Sequence, residues 1–133
     1  MQTHLHPLHA ILLAGALTLF LAVLLADVAY ATSYELQWKN FASWLLVGGL
    51  IVAGVVLLWT LIDLSRAGRR ASIVTRFVLV FALCVLGLID AFAHAEDAWA
   101  SMPKAAVLST IVALLALAAT WLGFFGSRTG AAR

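Results

Sequence analysis

Residues 7–31 read PLHAILLAGALTLFLAVLLADVAYA, an apolar run whose ionisable side chains are His9 near its start and Asp27 and Tyr30 near its end. About 20 such residues, wound as a helix, cross a hydrocarbon core roughly 30 Å thick. Three more runs of the same kind follow at 41–64, 73–94 and 105–125. Short connections between them make neighbouring helices antiparallel. The predicted fold is therefore all-α, one domain over residues 1–133, a polytopic up-down-up-down four-helix transmembrane bundle. Pro7 and Pro103 each suit the first turn of a helix, where a missing N–H is harmless.

Composition excludes most other classes. With 65% hydrophobic and 11% charged residues in 133, these runs leave no length for a soluble domain beside them. The net charge of +2 comes from basic residues scattered around span ends, so it speaks to topology and not to nucleic acid. The one cysteine, Cys84, lies mid-span, which rules out an internal disulfide and a CxxC motif. Ala29-Tyr30-Ala31 has the small-x-small form of a signal cleavage site. However, histidines stand where a signal carries Lys or Arg, and the apolar stretch exceeds the usual 7 to 15 residues or so. The segment is read as a retained span.

Orientation follows from the second loop, where Arg66, Arg69 and Arg70 collect, with Arg76 just beyond. Basic loops stay on the cytoplasmic side. Both termini are expected there too, in agreement with Arg128 and Arg133. Trp38, Trp44, Trp99, Tyr30 and Tyr34 gather around the first and third loops, where amphipathic rings favour the headgroup zone.

Helical periodicity sorts the faces. On the first span His9, Leu13, Ala16, Phe20, Val23 and Asp27 form one stripe. On the third, Arg76, Leu79, Leu83, Asp90, His94 and Asp97 fall within about 40° of one another. Ionisable groups in a span normally face the bundle interior, because lipid exposure is costly. Ser109, Ala113, Ala116 and Thr120 on the fourth span, and Gly49 and Ala53 beside Gly48 and Gly54 on the second, are small-residue stripes that let backbones approach. They are packing surfaces, inside the monomer or across a homodimer, with no catalytic role for Ser109.

Two polar clusters result. The cytoplasmic one gathers His6, His9, Asp63 and Arg76. Asp63 with Arg76 is expected to form a structural ion pair that makes two partly buried charges tolerable, and His6 with His9, at i and i+3, is a weak metal candidate. The outer one joins Asp27 and Tyr30 to Asp90 and His94, with Glu96, Asp97 and Trp99 beyond. Asp90 stands one turn before His94, so a carboxylate can orient the imidazole. That set admits a proton relay, a carboxylate and histidine site for a divalent metal, or a quinone headgroup held between Trp and Tyr. Haem b is disfavoured, since bis-histidine ligation needs two histidines at one depth and His9 and His94 are separated by roughly 25 Å at 1.5 Å per residue. No phosphate-binding loop, HExxH or nucleophile elbow is present, so an enzyme is not expected.

His6-Pro7-Leu8-His9, the Ala26-Asp27 ending, Trp44 and Gly48 before Ile62-Asp63, and His94-Ala95-Glu96-Asp97-Ala98-Trp99 resemble a bacterial family of small four-span predicted membrane proteins of unknown function. The resemblance covers nearly the whole chain. That family often has Phe-Pro after the second histidine, where this chain has Ile11-Leu12-Leu13. Some members are similar to modules beside iron–sulfur, cytochrome or quinoprotein dehydrogenase components, which implies a redox neighbourhood. The expected function is thus a non-catalytic accessory or anchor subunit of a membrane redox system, with a redox partner subunit and contact with quinone. The alternative is a small metal-binding or proton-linked membrane protein using Asp27, Asp90 and His94.

Overall fold

A computed structural model describes residues 6–131, with side chains as far as Phe125 apart from that of Ala98. Arg128 and Arg133, used above for orientation, lie outside those described side chains. The chain runs α1 (Pro7–Ser33), α2 (Leu36–Ala67), α3 (Ala71–His94), a 3-10 turn at Ala98–Ser101, and α4 (Lys104–Ala131). All four helices are long and apolar enough to cross a membrane by length and composition. The architecture is an all-α four-helix membrane bundle.

Each helix starts and stops for a local reason. Pro7 opens α1 at its first turn, where the Nδ1 of His6 accepts the N–H of Leu8 at 3.2 Å and satisfies a donor the helix itself cannot. Tyr34 ends it in the left-handed region, at φ 61°, with its N–H bonded to the carbonyl of Tyr30 at 2.9 Å. A residue with a Cβ loses roughly 1 to 2 kcal/mol there, and packing of the Tyr34 ring on Trp99, centroids 4.8 Å apart, works against that loss. The turn holds only Tyr34 and Glu35, so α2 begins at Leu36, upstream of the apolar run at Phe41. Gln37, Lys39 and Asn40 are polar but tolerable in a helix that emerges from the hydrocarbon; at 32 residues and 1.5 Å each, α2 is about 48 Å long. Gly68, at φ 76°, lets the chain leave α2 where a side chain would be strained.

In cross-section the helices follow chain order around a square. α1 packs on α2 and α4, α3 packs on α2 and α4, and α1 and α3 face each other across the diagonal. The stripe predicted on α1 is its buried face: His9, Leu13, Ala16, Phe20, Val23 and Asp27, joined by Ala26 and Tyr30. On α3 the buried face is Ile73, Val80, Leu83, Gly87, Asp90, Ala93 and His94. Arg76 and Leu79 lie at its margin and Asp97 is exposed outside the helix.

Lipid tails are as apolar as leucine, so close packing and not burial from water must hold these helices together. Phe20 sits at the centre, 1% exposed. A Cβ on Gly49 of α2 would come within 3.0 Å of its ring, and one on Gly87 of α3 would stand 3.8 Å from it and 2.8 Å from Leu50. The two glycines let α2 and α3 close around one aromatic ring. On α4 the small stripe does similar work, with Ala113 and Ala116 buried.

Candidate functional site

Asp27 lies one turn before Tyr30 on the inner face of α1, and the diagonal arrangement brings it to the last turn of α3. There His94 Nε2 stands 2.8 Å from Asp27 Oδ1, while His94 Nδ1 stands 2.9 Å from the carbonyl oxygen of Asp90. From α4, the hydroxyl of Ser109 contacts Asp27 Oδ2, Asp90 Oδ2 at 3.1 Å and the carbonyl of Ala105 at 2.9 Å. Both carboxyls are fully buried at 0% exposure, Ser109 is at 1% and His94 at 4%. Three helices thus place four polar side chains in one closed arrangement across the α1–α3 diagonal.

Counting hydrogens restricts what this arrangement can hold. A carbonyl oxygen only accepts, so Nδ1 of His94 carries a hydrogen aimed at Asp90 O. The Nε2 and Oδ1 contact then contains one proton, on the imidazole or on Asp27. Ser109 owns one hydrogen yet meets three oxygens, so its contacts to both carboxyls are bonded together only if one carboxyl supplies a hydrogen. Nδ1 of His94 also lies 3.1 Å from Asp90 Oδ1. That approach is not aligned as a hydrogen bond, because the single N–H points at the carbonyl, and Asp90 Oδ1 is left buried without a partner.

Lys39 completes the site from α2. It is nearly buried, and its Nζ donates to the carbonyl of His94 at 2.9 Å. The last carbonyls of a helix lack partners within it and carry the negative end of its dipole; a lysine from the neighbouring helix answers both for α3. Its amino group is therefore tethered to the last turn of α3. Tyr30 and Tyr34 pack on Trp99, with centroids at 5.8 and 4.8 Å, and Lys104 pairs with Glu96 across the third loop. Between α2 and α3 a groove of about 150 Å³, lined by Ser43, Leu46, Val47, Ala91, His94 and Ala95, reaches the histidine from the side.

Of the residues singled out from the sequence, Asp27, Asp90 and His94 meet directly. Tyr30 is buried beside Trp99, on the aromatic side of this end of the bundle. Ser109, read above as packing alone, is the junction of the two carboxyls. The signal for it is its place on the inner stripe of α4, but a serine bonded to the carbonyl four residues back is commonplace in helices. Lys39 falls in the first loop when the apolar run alone sets the start of α2, and nothing else in the sequence marks it.

At the other end, His6 and His9 both pack on Trp59 with centroids 5.3 Å away, His9 nearly parallel to the indole. His9 is 1% exposed and its Nε2 has no hydrogen-bond partner. Asp63 acts electrostatically on both His9 and Arg76, so the cluster assembles at one end. Among the described residues Asp63 and Arg76 do not approach to the 4.0 Å of an ion pair. His9 and Asp27 are 18 residues apart on α1, about 27 Å, and His94 touches Asp27, so the two histidines occupy opposite ends. Among the described residues no group of three or more His, Cys, Asp or Glu has the arrangement of a metal site. Both ring nitrogens of His94 already face protein oxygens.

Comparison with curated proteins and with solved structures gave no match. Residues 5–126, nearly the whole chain, match the family described as predicted membrane protein (DUF2231), and the protein belongs to that family.

Proposed function

We propose that the protein is a proton-linked membrane protein whose working site is the arrangement of Asp27, Asp90, His94 and Ser109. The observation that supports it is the single hydroxyl of Ser109 set among three oxygens while His94 faces acceptors on both sides. With three hydrogens shared among His94, Asp27 and Asp90, besides that of Ser109, both His94 contacts and both carboxyl contacts of Ser109 are bonded and the set is neutral. Removal of one leaves a single negative charge. Lys39, bonded to the carbonyl of His94 at the end of α3, brings a cation to this end of the bundle, where an uncompensated buried charge is the costly outcome. The site therefore accommodates two proton counts. Since α1, α3 and α4 each supply a member and α2 supplies the lysine, each count sets how that end of the bundle is held.

A second reading is the accessory subunit of a redox system with a quinone at the same end. The aromatic group of Tyr30, Tyr34 and Trp99 favours it. It ranks behind because both ring nitrogens of His94 are engaged within the protein, leaving none for a quinone carbonyl. The two separate by nitrogen-15 NMR of the histidine rings in detergent, with His94→Gln to assign the signal. The proton-linked reading expects Nδ1 of His94 to stay protonated throughout, Nε2 to share its hydrogen with Asp27, and Asp27→Asn to change Nε2 alone. An Nδ1 that loses its hydrogen, or a His94 spectrum that shifts on adding a soluble quinone, contradicts it.

A further inference from the structure

The end of the bundle opposite the proton site carries a groove that the proposed function does not use. It has a volume of about 420 Å³ and is lined by Val55, Leu58, Trp59, Ile62, Asp63 and Arg66, all from α2. Val55, Leu58 and Ile62 are each 45% exposed or more, as lipid-facing residues are. From Val55 to Arg66 is 11 residues, about 16 Å of helix, close to half of a hydrocarbon core of roughly 30 Å. The groove spans one leaflet. Its wall is apolar along the length, and its two charged residues stand together at the end where α2 leaves the hydrocarbon.

We infer that this groove binds one phospholipid with a phosphoethanolamine headgroup, its acyl chain along Val55, Leu58 and Ile62. The charges choose the headgroup. Arg66 offers a planar fork of donors that matches a phosphate. Asp63, three residues earlier on the same face and so within about 5 to 6 Å at Cβ, accepts from a primary ammonium. One carboxylate beside one guanidinium complements a zwitterion, and the ammonium of ethanolamine has hydrogens to donate whereas that of choline has none. Arg69, Arg70 and Arg76, the last acted on electrostatically by Asp63, do not line the groove, so a second cation that would favour a net negative headgroup is not part of its wall. Trp59 packs on His6 and His9, each 5.3 Å from its ring, and sits part-way along the wall, four residues from Val55 and seven from Arg66.

Trp59 is also the reporter. The protein is reconstituted in phosphatidylcholine vesicles that contain, at one fixed mole fraction, brominated-chain phosphatidylethanolamine, phosphatidylcholine or phosphatidylglycerol. Quenching lost in Trp59→Phe is the signal from this site. Phosphatidylethanolamine is expected to quench Trp59 several-fold more than either other lipid, Asp63→Asn to bring it down to the phosphatidylcholine level, and Arg66→Gln to weaken both. Equal quenching by all three makes the groove ordinary lipid contact and overturns the inference. So does strongest quenching by phosphatidylglycerol, or an ethanolamine preference that survives Asp63→Asn. Native mass spectrometry of the unsubstituted protein with the same lipids needs no variant: one retained phosphatidylethanolamine is expected, and retention without preference overturns the inference.

Discussion

Asp27 has more at stake than any other side chain, since it meets His94 with one oxygen and Ser109 with the other while fully buried. Asp27→Ala strands the imidazole and the hydroxyl in an apolar interior, and breaking a buried pair from one side costs about 3 to 5 kcal/mol. Asp27→Asn keeps an acceptor for His94 and should cost less, about 1 to 3 kcal/mol, the penalty of one imperfectly satisfied buried group. Ser109→Ala removes an interhelical bridge of the kind worth about 0.6 kcal/mol on average and at most about 1.7 in membrane proteins. Thermal unfolding in detergent checks the order, with Asp27→Ala melting first, Asp27→Asn next and Ser109→Ala last. A Ser109→Ala protein that melts as early as Asp27→Ala would show that the hydroxyl, and not the carboxyl, organises the site.

At the scale of the helix, the glycines divide by what stands opposite them. Gly49→Ala pushes a methyl toward the buried ring of Phe20, 3.0 to 3.3 Å away, and overpacking of a closed core costs typically about 1 to 3 kcal/mol. Gly54→Ala meets nothing within 4 Å and gains helix propensity worth up to about 1 kcal/mol. Gly87→Ala falls between them, because its near neighbour is the flexible end of Leu50. The predicted melting order is Gly54→Ala highest and Gly49→Ala lowest, and the reverse would mean that α1 and α2 do not meet at Phe20. This element level is where the sequence is most legible. The α1 stripe from His9 to Asp27 can be read because a helix repeats its inward face at a fixed angle. The start of α2 cannot, because the apolar run marks the hydrocarbon and not the helix, and Lys39 lies between the two. Nor does periodicity tell which residues of different helices touch. That Asp27 meets His94 across the diagonal, with Ser109 between the carboxyls, depends on the square packing of all four helices.

For the molecule as a whole, the arginines after α2 fix the expected orientation. In a Cys84→Ala background, Ser65→Cys should react only with a reagent on the cytoplasmic side and Ser33→Cys only from the opposite side; the two positions stand at opposite ends of the bundle, near the ends of α2 and α1. Reaction of both from one side would refute the four-span arrangement. In the expected orientation the groove faces the cytoplasmic leaflet and the buried set of Asp27, Asp90, His94 and Ser109 the far one, where α2 adds Lys39. Of the six acidic residues in the chain, only Asp27 and Asp90 have a carboxyl fully buried, so a proton held between carboxyl groups has a single place to be. Infrared spectroscopy of the reconstituted protein during a pH titration reads that proton directly. The proton-linked account predicts a protonated-carboxyl stretch equivalent to one group per chain that comes and goes with pH as one proton, present in the unsubstituted protein and missing from both Asp27→Asn and Asp90→Asn. A stretch that persists unchanged in Asp90→Asn, or none at any pH at which the bundle stays folded, would contradict it.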